Sequence, residues 1–87
     1  MTKNVIIYTS SLCGFCYRAK TLLKSKNIPY KEIDVDSDYE ARNEMVKKSN
    51  GRTSVPQIFF KDRHIGGYDD LFSLEKENGL EFLKKLT

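Results

Sequence analysis

Apolar and polar residues along the first third of the chain follow a strand, helix, strand pattern. The run Val5-Ile6-Ile7 is continuously apolar, which is typical of a strand buried on both faces. The next segment carries apolar residues at helical spacing, and Asn27 and Pro29 supply its stop signal. The pattern predicts a strand from Lys3 to Tyr8, a helix from Cys13 to Lys26 and a strand from Ile28 to Asp36.

Capping and turn residues outline the middle of the chain. Ser37 is expected to be the N-cap of a second helix, with Glu40 reaching back in a capping box. Asn50-Gly51 is expected to end that helix after about Ser49. Two short segments then flank the polar pair Lys61-Asp62, which is typical of a hairpin. The hairpin strands are predicted over Gln57 to Phe60 and Arg63 to Ile65.

The pattern of residues in the last part of the chain predicts two helices. Gly66-Gly67 ends the second hairpin strand, and Asp69 or Asp70 is expected to cap a short third helix. Asn78-Gly79 interrupts the pattern before a final amphipathic helix. The order β-α-β-α-β-β-α-α predicts an α/β fold, in which a four-stranded mixed β-sheet is flanked by helices on both faces. With 87 residues, no internal repeat and no linker, residues 1–87 are expected to form a single domain.

Charge and hydropathy argue against several classes of protein. The net charge is +3, and the lysines are spread along the chain instead of forming the dense basic stripe of a nucleic-acid binder. The sequence contains neither the run of about 18 apolar residues that a membrane helix needs nor a secretory signal. We therefore expect a cytoplasmic protein with no nucleic-acid or membrane partner. Thiols are kept reduced there, so a close cysteine pair is expected to be catalytic or metal-binding.

The segment Cys13-Gly14-Phe15-Cys16 lies where a predicted strand ends and a predicted helix begins. Unpaired N–H groups and the positive end of the dipole at a helix start stabilise a thiolate. Cys13 is therefore expected to be exposed and to have a lowered pKa. Cys16 lies one helical turn later, within reach of a disulfide and on the apolar side of the helix. It is expected to be the shielded partner that resolves a mixed disulfide.

Two structural interpretations of the cysteine pair are weaker than the redox one. A structural zinc site needs about four ligands, and beyond the pair the sequence offers only His64, which otherwise fits a surface or edge position. A structural disulfide within one helical turn would close too short a loop to stabilise the fold much.

Three motifs together resemble class I, or dithiol, glutaredoxins of the bacterial type. They are Cys13-Gly14-Phe15-Cys16 after the first strand, Ser54-Val55-Pro56 before the third strand, and Gly66-Gly67-Tyr68-Asp69-Asp70-Leu71 before a late helix. The resemblance covers nearly the whole chain and implies a thioredoxin-like fold. Thioredoxins themselves are less similar, because this chain contains no Trp to precede the first cysteine.

The resemblance also implies a glutathione site. In the family the proline matching Pro56 is cis, and the backbone of the preceding residue, here Val55, pairs with the cysteine of glutathione. The segment matching Gly67 to Asp69 holds the γ-glutamyl end; N–H groups at a helix start suit its carboxylate, and Asp69 suits its ammonium group. The implied glutathione-binding residues are Phe15, Arg52, Ser54, Val55, Pro56, Gln57, Gly67, Tyr68 and Asp69.

Two positions depart from the family pattern. Ser10 replaces a lysine that in many members binds the glycine carboxylate of glutathione, and Arg52 or Gln57 is expected to supply part of that contact. Gly14-Phe15 replaces the usual Pro-Tyr, and some glutaredoxins with glycine there bind a [2Fe-2S] cluster between two protomers. A cluster scaffold, carrier or sensor with Cys13 as the metal ligand is therefore the alternative function. Otherwise no metal is expected.

The resemblance implies a glutathione-dependent thiol-disulfide oxidoreductase. It would reduce protein–glutathione mixed disulfides and protein disulfides through Cys13 and Cys16, with glutathione as co-substrate. The expected partners are glutathione and glutathionylated or disulfide-containing proteins, among which the family allows ribonucleotide reductase. The protein is expected to be a monomer, and a dimer only with a bound cluster.

Overall fold

The computed structural model describes residues 4–86 and has the predicted order of elements. Within this range, a four-stranded sheet has the strand order β2-β1-β3-β4. Strand β1 pairs parallel with β2 and antiparallel with β3, and β3 pairs antiparallel with β4. The elements are β1 Val5–Thr9, α1 Gly14–Ser25, β2 Tyr30–Asp34, α2 Tyr39–Lys48, β3 Gln57–Phe60, β4 Arg63–Gly66, α3 Tyr68–Lys76 and α4 Gly79–Leu86.

The two faces of the sheet are covered differently. Helices α1, α3 and α4 cover one face, which we call the helix-rich face, and α2 covers the other, which we call the α2 face. The core of the helix-rich face contains Val5, Ile7, Ala19, Leu23, Ile28, Ile58, Phe60, Leu71, Leu80 and Leu83. The core of the α2 face contains Tyr8, Val35, Met45 and Phe59. Helices therefore flank both faces, as predicted.

Strand alternation explains why β3 is buried throughout. Ile58 and Phe60 belong to the core of the helix-rich face, and Phe59 belongs to the core of the α2 face. Because successive side chains point to opposite faces, Gln57 lies on the α2 face with Phe59. Gln57 is only 1% exposed. The alternation therefore places a polar amide inside the protein, directly after the loop that contains Pro56.

The predicted helix stops are confirmed. Asn27, Asn50 and Asn78 follow α1, α2 and α3, with φ angles of 58°, 60° and 62°. Asparagine tolerates this left-handed conformation better than most residues, and the conformation ends a helix. The short side chain of each asparagine therefore sets the length of the helix before it.

The predicted N-cap of α2 is wrong by one residue, whereas a predicted cap of α3 is confirmed. Asp38, not Ser37, is the N-cap of α2, and its Oδ1 accepts a hydrogen bond from the N–H of Ala41 at 3.0 Å. Glu40 is then one residue too early in the helix to complete a capping box. Gly67 occupies the N-cap position of α3, and Asp70 caps the helix from its third residue, where its side chain accepts a hydrogen bond from the N–H of Gly67.

Strand β2 is shorter than predicted, and β4 is one residue longer. Strand β2 ends at Asp34, opposite Thr9, where its pairing with β1 ends. Beyond this point the carboxylate of Asp36 turns towards the loop after β1. Strand β4 continues to Gly66, which pairs with Ile58. Lys3, at the start of the first predicted strand, lies outside the described residues.

Candidate active site and adjoining groove

Cys13 is the N-cap of α1. Its backbone is extended, with φ −125° and ψ 105°, and its Sγ accepts a hydrogen bond from the N–H of Cys16 at 3.0 Å. The sulfur thus takes the role that a hydroxyl or carboxylate oxygen plays in an ordinary N-cap. No acidic residue occupies the described first turn of α1. The partial positive charge of the helix start is therefore available to a negatively charged sulfur at Cys13.

The two cysteines form a disulfide, and their Cα atoms are 5.2 Å apart. Cys16 is shielded as predicted, with 1% of it exposed, whereas Cys13 is half-buried and thus less exposed than predicted. Cys16 shares the inner side of α1 with Ala19 and Leu23, which are fully buried. An incoming molecule can therefore approach the sulfur of Cys13 but not that of Cys16.

The loop before β3 lies against Cys13. The carbonyl oxygen of Val55 is 3.6 Å from Cys13 Sγ, and the peptide bond between Val55 and Pro56 is cis, as the resemblance implies. The side-chain amide of Gln57 donates hydrogen bonds to the carbonyl oxygen of Ser54 at 3.1 Å and to its hydroxyl at 3.3 Å. This segment thus presents the backbone of Val55 beside the sulfur of Cys13.

A groove of about 190 Å³ lies between this loop and the start of α3. All nine residues predicted to bind glutathione line it, and Asp70 lines it as well. The lining residues are Phe15, Arg52, Ser54, Val55, Pro56, Gln57, Gly67, Tyr68, Asp69 and Asp70. Because Val55 also contacts Cys13, the groove adjoins the reactive cysteine. Segments that are distant in the sequence therefore form one surface.

Asp70 shapes the end of the groove formed by α3. Its Oδ2 accepts a hydrogen bond from the N–H of Gly67 at 3.0 Å and lies 3.8 Å from Nη1 of Arg52. Gly66 has a φ angle of 125°, and a Cβ atom there would overlap the Asp70 carboxylate. Asp70 therefore caps α3, as expected, and also supports the groove from within the helix. Asp69 makes no such backbone contact in the described residues and is exposed.

A row of aromatic rings continues one wall of the groove. The rings of Phe15 and Tyr68 have centroids 5.9 Å apart, and those of Tyr68 and Phe72 are also 5.9 Å apart. Arg18 lies over the ring of Phe15 and Lys76 over that of Phe72, which are favourable cation–π contacts. Phe15 is 54% exposed. The rim beside Cys13 is therefore apolar and flanked by positive charge.

The loop between β1 and Cys13 is bound by a carboxylate. The hydroxyl of Ser10 donates to Asp36 Oδ1 at 2.7 Å, and Asp36 Oδ2 accepts from the N–H and hydroxyl of Ser11 at 3.0 and 2.8 Å. These bonds hold the pKa of Asp36 below its usual range, with the Ser11 N–H as the largest cause. The sequence showed the serine at the place of the family's lysine but gave no signal that Asp36 would bind it.

His64 lies at a strand edge, as expected, but it also has partners that the sequence did not reveal. Its Nε2 is 2.7 Å from Oε1 of Gln57, and its ring stacks on Phe59 with centroids 4.8 Å apart. Burial and the nearby Arg52 lower the pKa of His64, and Asp70 opposes this change. No described His, Cys, Asp or Glu residues form a group of three that could hold a metal ion.

None of the described helices is long and apolar enough to cross a membrane.

The sequence is similar to known proteins over most of its length. Residues 5–65 match the glutaredoxin family model. Glutaredoxin 3 of Escherichia coli K12 is 50% identical over 82 residues, which are 94% of this chain and 98% of that protein. Glutaredoxin 1 of Rickettsia prowazekii is 49% identical over 81 residues, 92% of this chain and 85% of that protein.

Solved structures agree with these matches. The solution structure of glutaredoxin from Brucella melitensis is 48% identical and has a TM-score of 0.81, over 94% of this chain and 88% of that one. The crystal structure of a buckwheat glutaredoxin–glutathione complex is 26% identical and has a TM-score of 0.82, over 94% of this chain and 76% of that one. With its thioredoxin-like fold and redox-active Cys13-Gly14-Phe15-Cys16 motif, the chain belongs to the glutaredoxin family of thiol-disulfide oxidoreductases.

Proposed function

We propose that this glutaredoxin uses glutathione to reduce protein–glutathione mixed disulfides and protein disulfides. The observation that carries the proposal is the position of Cys13 Sγ, 3.6 Å from the Val55 carbonyl oxygen at the edge of the groove. A tripeptide lying in the groove would have its own sulfur beside Cys13. The similarity to the buckwheat glutaredoxin whose complex with glutathione has been solved supports this assignment.

Each end of the groove offers groups that suit glutathione. The backbone of Val55, beside Cys13 at the edge of the groove, suits the cysteine residue of the tripeptide, because backbone N–H and C=O groups can pair with those of a bound peptide as they do between strands. N–H groups in the first turn of α3 suit the γ-glutamyl carboxylate, and Asp69 suits the ammonium group. Arg52, at the groove wall, is the cation available for the glycine carboxylate.

The proposed reaction on a glutathionylated protein has two exchange steps. The Cys13 thiolate attacks the glutathione sulfur of the mixed disulfide, a new disulfide forms between Cys13 and glutathione, and the protein leaves as a thiolate. A second glutathione thiolate then attacks the glutathione sulfur on Cys13, which releases oxidised glutathione and regenerates the Cys13 thiolate. Stabilising that thiolate at the helix start makes Cys13 a good leaving group in the second step.

Cys16 is proposed to act only on protein disulfides. When Cys13 has formed a mixed disulfide with a protein, the Cys16 thiolate attacks Cys13 Sγ, which releases the second protein thiolate and forms the Cys13–Cys16 disulfide. Two glutathione molecules then reduce this disulfide and become oxidised glutathione. The burial of Cys16 supports this division, because its sulfur is shielded from external molecules but lies close to Cys13.

Substitution of each cysteine in turn tests the proposal. Cys13→Ser should reduce glutathione-coupled turnover of a small mixed disulfide by about a thousandfold or more, because it removes the nucleophile. Cys16→Ser should retain that turnover and lose reduction of a protein disulfide, and Cys16→Ala controls for burying a hydroxyl. Turnover that survives in Cys13→Ser, or that is lost in both Cys16 variants, would contradict the assignment of roles.

In the cluster alternative, a [2Fe-2S] cluster would be held by Cys13 from each of two protomers together with thiols from outside the chain. The disulfide between Cys13 and Cys16 favours redox chemistry at Cys13 instead. We therefore derive no step through a cluster, and we propose that the protein works as a monomer in the cytoplasm, where glutathione is abundant. Anaerobic reconstitution with iron, sulfide and glutathione tests this. A coloured dimer would contradict the monomer proposal, and a colourless monomer would support it.

A further inference from the structure

His64 lies behind the groove and does not line it. It is in the edge strand β4, opposite Phe59, next to an irregularity in the pairing of β3 with β4. Its Nε2 is 2.7 Å from Oε1 of Gln57, and its ring stacks on Phe59 at 4.8 Å. The imidazole therefore has one specific polar partner on β3 and one apolar support.

The orientation of the Gln57 amide follows from its other contacts. Its nitrogen faces the carbonyl oxygen of Ser54 at 3.1 Å, and a carbonyl oxygen can only accept. The amide oxygen must then face His64, so Nε2 of His64 is the donor of that bond. Both ends of a side chain that is only 1% exposed are thereby hydrogen-bonded.

The Gln57 amide in turn fixes the loop that contacts Cys13. Its nitrogen holds Ser54 through two hydrogen bonds, and the next residue, Val55, places its carbonyl oxygen 3.6 Å from Cys13 Sγ. Without a donor at His64, the amide oxygen would be left buried and unpaired. Rotation of the amide by 180° would then place its oxygen against the Ser54 carbonyl oxygen, and the two would repel each other.

We propose that His64 is a positioning residue for glutathione, acting through Gln57 on the Ser54-Val55-Pro56 loop. The inference rests on the proposed function, because it concerns the same groove. It assigns His64 no contact with the tripeptide or with the reacting sulfur atoms. Its loss should therefore weaken the binding of the glutathionyl group more than it slows sulfur exchange.

A matched pair of variants separates the hydrogen bond from the packing of the ring. His64→Phe keeps an aromatic ring next to Phe59 and removes the donor. His64→Gln restores a donor that can reach Gln57. In a glutathione-coupled assay with a small mixed disulfide, His64→Phe should raise KM at least fivefold and change kcat by less than twofold. His64→Gln should return KM to within about twofold of the wild-type value, because its side-chain amide also donates.

Different results identify which hypothesis fails. If the wild-type protein does not turn over the glutathione mixed disulfide, the proposed function is wrong and the inference falls with it. If the wild-type protein turns over the mixed disulfide and His64→Phe has an unchanged KM, only the inference about His64 is wrong. An equal rise in KM in His64→Phe and His64→Gln also overturns it, because the hydrogen bond would then not be the cause.

A measurement on the wild-type protein keeps the inference testable if His64→Phe does not fold. Nitrogen-15 NMR at neutral pH should show the His64 proton on Nε2 and the Gln57 amide protons exchanging slowly with water. A proton on Nδ1 alone, or fast exchange of the Gln57 amide, would overturn the proposal. Where His64→Phe folds, its Gln57 amide protons should exchange at least tenfold faster than in the wild-type protein.

Discussion

The two faces of the sheet differ in what holds them together. Among the described residues, the helix-rich face has three helices and a core of ten buried apolar residues. The α2 face has one helix, of which Met45 is the one buried residue, and a core of four residues. Polar groups supplement it: Gln57 is bonded to His64, and the buried hydroxyl of Ser49 donates to the carbonyl oxygen of Arg52 at 3.1 Å.

This difference implies that the stability of the fold and the shape of the groove depend on different faces of the sheet. Arg52, Ser54 and Gln57 all line the groove, and the polar contacts of the α2 face hold them. Hydrogen bonds fix direction, whereas apolar packing contributes most of the free energy of folding. We therefore expect the helix-rich face to dominate stability, and the α2 face to control the groove wall formed by the loop before β3.

The largest effect is expected from truncation inside the helix-rich face. Leu23 is fully buried in its core, so Leu23→Ala should lower the free energy of unfolding by about 3 to 5 kcal/mol. Leu23 does not line the groove, so kcat/KM per folded molecule should be retained. Urea unfolding and an active-site titration measure both quantities. Leu12→Ala is the control, because Leu12 is 97% exposed and its loss should change stability by less than about 0.5 kcal/mol.

The corresponding truncation on the α2 face should have a smaller effect. Met45 is also fully buried, but the core around it is small, and a flexible methionine leaves a site that can collapse more easily. Met45→Ala should therefore lower the free energy of unfolding by about 2 to 3 kcal/mol. It should also raise KM for the mixed disulfide, unlike Leu23→Ala. An equal or larger loss of stability than in Leu23→Ala would break the distinction between the faces.

A third variant lies outside both cores. Gly14 is the first residue of α1, with open space where a side chain would begin, and the preceding Cys13 already has the extended backbone that a following proline requires. Gly14→Pro should therefore raise the free energy of unfolding by about 0.5 to 1 kcal/mol through the unfolded chain. Thermal unfolding measures the gain, and a loss of stability would show that the N–H of Gly14 is needed.

The sequence predicted most of the fold because its local signals were consistent. Each asparagine stop lies where a left-handed residue ends a helix, and the apolar run at β1 lies in the centre of the sheet, with Val5 and Ile7 buried and Ile6 partly buried. The N-cap of α2 was missed by one residue because Ser37 and Asp38 are both good caps. The choice between them depends on where β2 stops pairing with β1.

The site was predicted in a different way. The resemblance, not the pattern of residues, pointed to the groove, and its nine residues do lie together. The same route led to the cis bond before Pro56. Neither the resemblance nor the pattern of residues indicated that His64 contacts Gln57, because that contact depends on the irregular register between β3 and β4. Long-range pairing of this kind leaves no local mark on the sequence.

The smallest expected effect is a pH dependence confined to the α2 face. His64 is the single histidine of the chain, and burial and Arg52 lower its pKa in the folded protein. Below the ordinary histidine pKa of about 6.5, the unfolded chain binds the proton more readily than the folded protein does. Stability should therefore fall as the pH drops from about 6.5, and this loss should be complete below the lowered pKa of the folded state.

Comparison of the wild-type protein with His64→Gln isolates the contribution of His64 to the pH dependence of stability, because carboxyl groups titrate equally in both proteins. The difference between their free energies of unfolding, measured in urea from pH 8 to pH 5, should change in favour of the variant as the pH falls. The cost of Leu23→Ala should stay constant over the same range, since no ionisable group belongs to that core. A difference that favours the wild-type protein on acidification would mean that Asp70 outweighs burial and Arg52 at His64. The α2 face would then gain stability from acid, and its polar contacts would have to be reinterpreted as an ion pair.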